Sequence, residues 1–91
     1  MVNIKLFANY RETVGKDQIQ IEIKNKTTLN EILNKLQTKH PELKKQISNQ
    51  QQLKKEVNIL INEKTINNNQ INEKTINNND TIALLPPVSG G

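Results

Sequence analysis

The feature that most constrains this fold is a pair of short alternating segments followed at once by a capped helical stripe. Val2, Ile4, Leu6 and Ala8 alternate with Asn3, Lys5 and Phe7, and Ile19, Ile21 and Ile23 alternate with Gln18, Gln20, Glu22 and Lys24. A period of two marks a strand with one buried face, so the segments predict a hairpin, with Arg11 to Lys16 as its turn and Gly15 closing it. A sheet that is apolar on one side needs a cover. Thr28-Leu29-Asn30-Glu31 has the pattern of a capping box, in which hydroxyl and carboxylate satisfy backbone donors of a first helical turn. Leu29, Ile32, Leu33 and Leu36 then fall on one helical face. The helix should stop near Lys39 or His40, because Pro41 pushes its predecessor out of helical geometry.

Beyond Pro41 the pattern is weaker. Leu43, Ile47 and Leu53 stand among glutamines and lysines up to Lys55, consistent with a short helix and a mobile loop. Residues 56–62 form a third strand, and Asp80 to Leu85 a last one, apolar on both faces and therefore expected at the centre of the sheet. The order is strand, strand, helix, strand, strand and tail, an α+β layer with a helix across a mixed sheet. If the first and last strands are neighbours, they run parallel.

A chain of 91 residues is one small domain, and with only Phe7 and Tyr10 as aromatics its core must be aliphatic. There is no cysteine, which removes disulfides, thiolate metal sites and a cysteine nucleophile together. No apolar run approaches the roughly 20 residues that span a bilayer, and the N-terminus lacks a signal-peptide architecture; a soluble cytoplasmic protein is expected. The formal charge is +4. Lys35, Lys39, Lys44, Lys45, Lys54 and Lys55 concentrate the excess against Glu42 alone. Without arginines, interleaved aromatics or a reading motif, this stretch reads as a solvated basic face rather than a nucleic-acid site, and docking onto an acidic partner stays open. His40, the single histidine, has no second ligand at metal spacing and reads as a surface residue at a helix end.

The tail carries the functional signal. The sequence closes Leu84-Leu85-Pro86-Pro87-Val88-Ser89-Gly90-Gly91. Pro86 and Pro87 stiffen the exit and bar further pairing. Gly90 and Gly91 have no Cβ to keep a narrow channel from closing around the backbone, which makes the terminal carboxyl a plausible reactive group. A hydrophobic strand, Leu-Pro-Pro-Val-Ser and a closing Gly-Gly resemble the molybdopterin synthase small subunit and its relatives among the ubiquitin-like sulfur carriers, archaeal small modifier proteins included. Lys5 to Gly15 resembles that family's first strand and following turn. The resemblance implies a ubiquitin-like β-grasp fold of four to five strands with one main helix, over residues 1–85, and a flexible tail over 86–91.

It also implies a chemistry. An E1-like enzyme would use ATP to convert the Gly91 carboxylate to an acyl-adenylate, and a sulfur donor would replace AMP to leave a thiocarboxylate. The three glycines, Gly15, Gly90 and Gly91, form no phosphate loop, so adenylation belongs to the partner and no cofactor is expected on this chain. Gly91 carries the reaction and Gly90 gives access. In the molybdopterin reading, the large synthase subunit holds the pterin precursor that accepts sulfur. The alternatives are a modifier joined through Gly91 to lysines, or a carrier for thiamine or tRNA thiolation. No nucleic-acid or membrane partner is expected. Phe7 lies opposite the Ile4 and Leu6 set, and Leu85 opposite Ile82 and Leu84; the two could form an exposed patch beside the tail, joining Pro86, Pro87, Val88 and Ser89 as partner contacts. A loop or the short helix covering them is the other reading.

One further feature is a duplication. Residues 61–70 and 71–80 are identical apart from Gln70 and Asp80. Two copies are too few for a solenoid. Lys64-Thr65-Ile66 and Lys74-Thr75-Ile76 are thus expected to compete for one edge strand, leaving the other copy as a loop insertion or an added hairpin.

Overall fold

A computed structural model describes residues 1–49, 52–54, 56–67 and 70–86. Strand β1 (Val2–Leu6) pairs antiparallel with β2 (Gln18–Ile21), placing Ile4 opposite Ile19. Val2, Ile4 and Leu6 are buried on one face, as their alternation requires. The segment between the strands differs from expectation. Ala8–Val14 forms helix α1, and Gly15, at φ 84°, donates its N–H to the Arg11 carbonyl at 2.8 Å. The glycine thus closes a helix in the left-handed conformation rather than a hairpin turn. The helix escaped the pattern because Tyr10 is its single fully buried residue, too little to set a period.

Helix α2 (Leu29–Lys39) follows as its stripe predicts, with Leu29, Ile32, Leu33 and Leu36 buried. Thr28 Oγ1 accepts from the Glu31 N–H at 3.2 Å, which is half of the capping box. The other half is altered: the Glu31 carboxylate accepts from the Thr27 hydroxyl. Helix α3 (Pro41–Ile47) comes next and buries Leu43 and Ile47 completely. Beyond it, β4 (Ser48–Asn49) pairs with β5 (Gln52–Leu53) in place of an unstructured loop.

Strands β6 (Asn58–Ile61) and β9 (Thr81–Leu85) are antiparallel, with Ile59 opposite Leu84 and Ile61 opposite Ile82. Strand β9 also runs parallel to β1, setting Ile82 beside Ile4 and Leu84 beside Leu6. The five-stranded sheet has the order β2-β1-β9-β6-β7, where β7 is Lys64–Thr65. The last strand is therefore central. Its inward residues Ile82 and Leu84 join the core formed with α2, α3 and Tyr10.

The two repeat copies take different places. In the first, Asn62 and Glu63 make the tight turn between β6 and β7, which is the sheet's edge. In the second, Thr75–Asn77 forms β8 and pairs antiparallel with β3 (Lys26–Thr28). There the Lys74 carbonyl accepts from Leu29 N–H at 2.9 Å, satisfying a donor at the start of α2. Ile76 is fully buried, while its counterpart Ile66 is half-buried against the core. The expected competition for one edge strand is thus resolved by giving each copy its own partner. The one differing position keeps a shared role: Gln70 Oε1 accepts from Asn67 N–H at 3.0 Å, and Asp80 Oδ2 from Asn77 N–H at 2.8 Å.

Candidate functional site

The sheet has one face on the core and one facing out. On the outer face the register aligns Lys5, Ala83 and Leu60 in one row. Phe7 and Leu85 lie at the next level, and together these residues line a depression of about 430 Å³. Phe7 is 39% exposed, which among the described residues only Met1 exceeds as an exposed large hydrophobic residue. Leu85, Ala83 and Leu60 are half-buried. The second apolar face that made β9 look central is therefore a surface patch. It is not burial between two layers.

The rim of this depression is held firmly. Asn62 donates its N–H to the Thr81 carbonyl at 2.8 Å and accepts from Thr81 N–H on Oδ1 at 2.9 Å. Its Nδ2 donates to Asp80 Oδ1 at 3.1 Å. These bonds pin the β6–β7 turn, where Asn62 and Glu63 have φ of 50° and 73°. Lys5 and Glu63 thus stand as opposite charges at an apolar depression. Elsewhere the outer face is polar: Gln18 and Gln20 both donate through Nε2 to Asn3 Oδ1, at 3.2 and 3.0 Å.

Phe7, Leu85 and Pro86 are thus brought to one end of the sheet, where β9 gives way to the tail. Pro87, Val88, Ser89, Gly90 and Gly91 lie outside the described residues. Sequence reasoning missed Lys5, Leu60, Asn62, Glu63 and Ala83. Lys5 and Ala83 could have been found, since they share the strand phase of Phe7 and Leu85; Asn62 and Glu63 depend on the turn. Among the described residues no group of three or more His, Asp or Glu could hold a metal ion, and no helix is long and apolar enough to cross a membrane. His40 sits between α2 and α3, half-buried, with Nδ1 3.4 Å from Glu42 Oε1.

The sequence pattern of the ThiS family matches residues 4–91. The chain belongs to the ThiS family. Small archaeal modifier protein 1 of Methanosarcina acetivorans is 34% identical, with 99% of this chain and 95% of that chain covered and a TM-score of 0.80. SAMP1 of Haloferax volcanii is 27% identical over 99% and 98% of the two chains, with a TM-score of 0.87. A Pyrococcus furiosus protein named as a candidate molybdopterin converting factor, subunit 1, is 21% identical over 96% and 97%, with a TM-score of 0.74, and shares the fold. No curated protein sequence matches the chain. The fold is the ubiquitin-like β-grasp, and this ThiS-family chain is of the ubiquitin-like sulfur-carrier and modifier type.

Proposed function

We propose that the chain carries sulfur on its C-terminal glycine and serves as the small subunit of a molybdopterin synthase. The observation that supports this most is the tail itself: Leu-Pro-Pro-Val-Ser-Gly-Gly begins at the last residue of the central strand, Leu85, which lines an apolar depression, in a chain whose ThiS-family match extends to Gly91.

A carboxylate is a poor electrophile, so the first step is activation. In the active site of an E1-like partner, a Gly91 carboxylate oxygen attacks the α-phosphorus of ATP, pyrophosphate leaves, and an acyl-adenylate forms. A donor then delivers sulfur at the sulfide level to the acyl carbon, and AMP departs with the C–O bond electrons. The product is a thiocarboxylate. Its sulfur attacks a carbon of the pterin precursor held by the large subunit and displaces an oxygen substituent; hydrolysis of the resulting thioester leaves the sulfur on the pterin and returns Gly91 to the carboxylate. ATP serves the activating enzyme, and this chain supplies the acyl group.

The body positions the reaction. Residues 86–91 reach about 20 Å when extended, enough for the tail to enter a buried site while the sheet stays outside. Phe7 and Leu85 dock on the partner, Pro86 and Pro87 limit the exit directions, and Val88 and Ser89 line the approach. Gly90 passes the narrowest point because it lacks a Cβ.

A second reading has its own support. The 34% identity to small archaeal modifier protein 1 of Methanosarcina acetivorans favours a modifier, in which a lysine amine attacks the same activated Gly91. Both readings require adenylation. Deleting Gly91 should abolish ATP–pyrophosphate exchange by the host's E1-like enzyme while the fold persists, and normal exchange by the shortened chain would refute the shared step. Branched Gly91-lysine peptides in host digests would select the modifier.

A further inference from the structure

Strand β2 is a free edge of the five-stranded sheet. Leu6 N–H donates to the Asp17 carbonyl at 2.9 Å, and Ile4 faces Ile19 in the same register. Hydrogen-bonded pairs alternate along an antiparallel ladder. Asp17, Ile19 and Ile21 therefore direct their backbone groups at β1, whereas those of Gln18 and Gln20 point away from the sheet. Among the described residues no strand lies beyond them.

Beside this edge is a cleft of about 500 Å³, lined by Lys16, Gln18, Ile19, Gln20, Lys39 and His40. Lys16 and Lys39 are exposed, and none of the lining residues is acidic. Glu42 faces His40 Nδ1, and the exposed Asp17 and Glu22 flank the strand outside the lining. The outward N–H and C=O groups recur at Gln18 and Gln20 with the spacing of another extended chain. Phosphate groups of a nucleic acid would leave the outward N–H and C=O groups without strand partners.

We propose that the free edge of β2 and its cationic cleft form a second docking site, which takes an extended acidic segment of a partner protein as a sixth strand. Backbone hydrogen bonds to Gln18 and Gln20 supply the pairing. Acidic side chains of the added strand meet Lys16 and Lys39 at the cleft. The edge lies two inter-strand spacings from β9, about 10 Å, so a partner bound here leaves the tail and the outer face free. The site is independent of what Gly91 carries.

The test is an amide NMR titration of the full chain with the capped hexapeptide Glu-Val-Glu-Val-Glu-Val, and with Lys-Val-Lys-Val-Lys-Val as control. The acidic peptide should shift the Gln18 and Gln20 amides and slow their exchange; the basic one should not. The double variant Lys16→Glu/Lys39→Glu, altered only at exposed side chains, should lose affinity for the acidic peptide by about tenfold or more and gain it for the basic one. Equal binding of both peptides, shifts confined to other strands, or affinity indifferent to the charge reversal would overturn the proposal. So would binding of an oligothymidylate at this cleft in preference to the peptide. Protection of the same amides that rises with protein concentration alone would assign the edge to a second copy instead, and would also overturn it.

Discussion

The isoleucines of the two repeat copies offer a controlled experiment within one chain. Ile66 and Ile76 lie in the same local sequence, yet Ile76 is fully buried opposite Thr27 while Ile66 is half-buried at the margin of the core. Replacing isoleucine with alanine removes three carbons, worth about 2.4 kcal/mol at about 0.8 per buried methylene. A residual cavity adds to this, bringing Ile76→Ala to about 3–4 kcal/mol. At Ile66 part of that surface already meets water and the edge can relax, so about 1–2 kcal/mol is expected. In thermal unfolding Ile76→Ala should lower the midpoint by about 12 °C or more, against roughly half of that for Ile66→Ala. Urea unfolding with an unchanged slope would confirm that stability alone has moved. Equal losses would refute the separate places given to the copies. By the same reasoning, deleting 61–70 or 71–80 is destabilising rather than neutral, because one copy cannot both turn into β7 and support α2 through β8.

Other tests address the turn, the core tyrosine and the patch. Glu63, at φ 73° in a two-residue turn, should be replaceable by glycine with a gain of about 0.5–1 kcal/mol in denaturant unfolding, and a loss would show that its carboxylate holds the rim. Burial, and then the Glu56 carboxylate, raise the Tyr10 hydroxyl above its ordinary value of 10.0. The folded protein therefore holds this proton more tightly than the unfolded chain, and the stability it contributes is present below pH 10 and lost as pH rises from there toward the raised value. Tyr10→Phe should flatten that alkaline decline, and an unchanged slope would exclude Tyr10 as its source. Leu85→Asp should keep the native spectrum but weaken binding to the activating enzyme by about tenfold, with unchanged affinity excluding the patch.

The strands and main helix were legible because burial imposes a period on them. Ile4 and Ile19 sit where alternation puts them, and Thr28 caps α2 as its position before Leu29 suggests. Short elements were not legible. Helix α1 buries one tyrosine fully, and β3 with β8 is a three-residue ribbon whose partners are separated by about half of the chain. Identity between the repeats concealed their difference, since Thr75–Asn77 acquires its role from Lys26–Thr28, not from its own residues. At the candidate site Phe7 and Leu85 followed from strand phase. Asn62 and Glu63 joined it only through a turn pinned by Asp80 and Thr81.

The central claim is that Gly91 carries sulfur as a thiocarboxylate, and intact mass spectrometry of the chain isolated from its host under non-reducing, amine-free conditions tests it directly. A species in which one oxygen has been replaced by sulfur is expected, with fragmentation placing the change on Gly91, and it should disappear in cells lacking the E1-like enzyme. A population that carries only the free carboxylate, unchanged when that enzyme is removed, would contradict it.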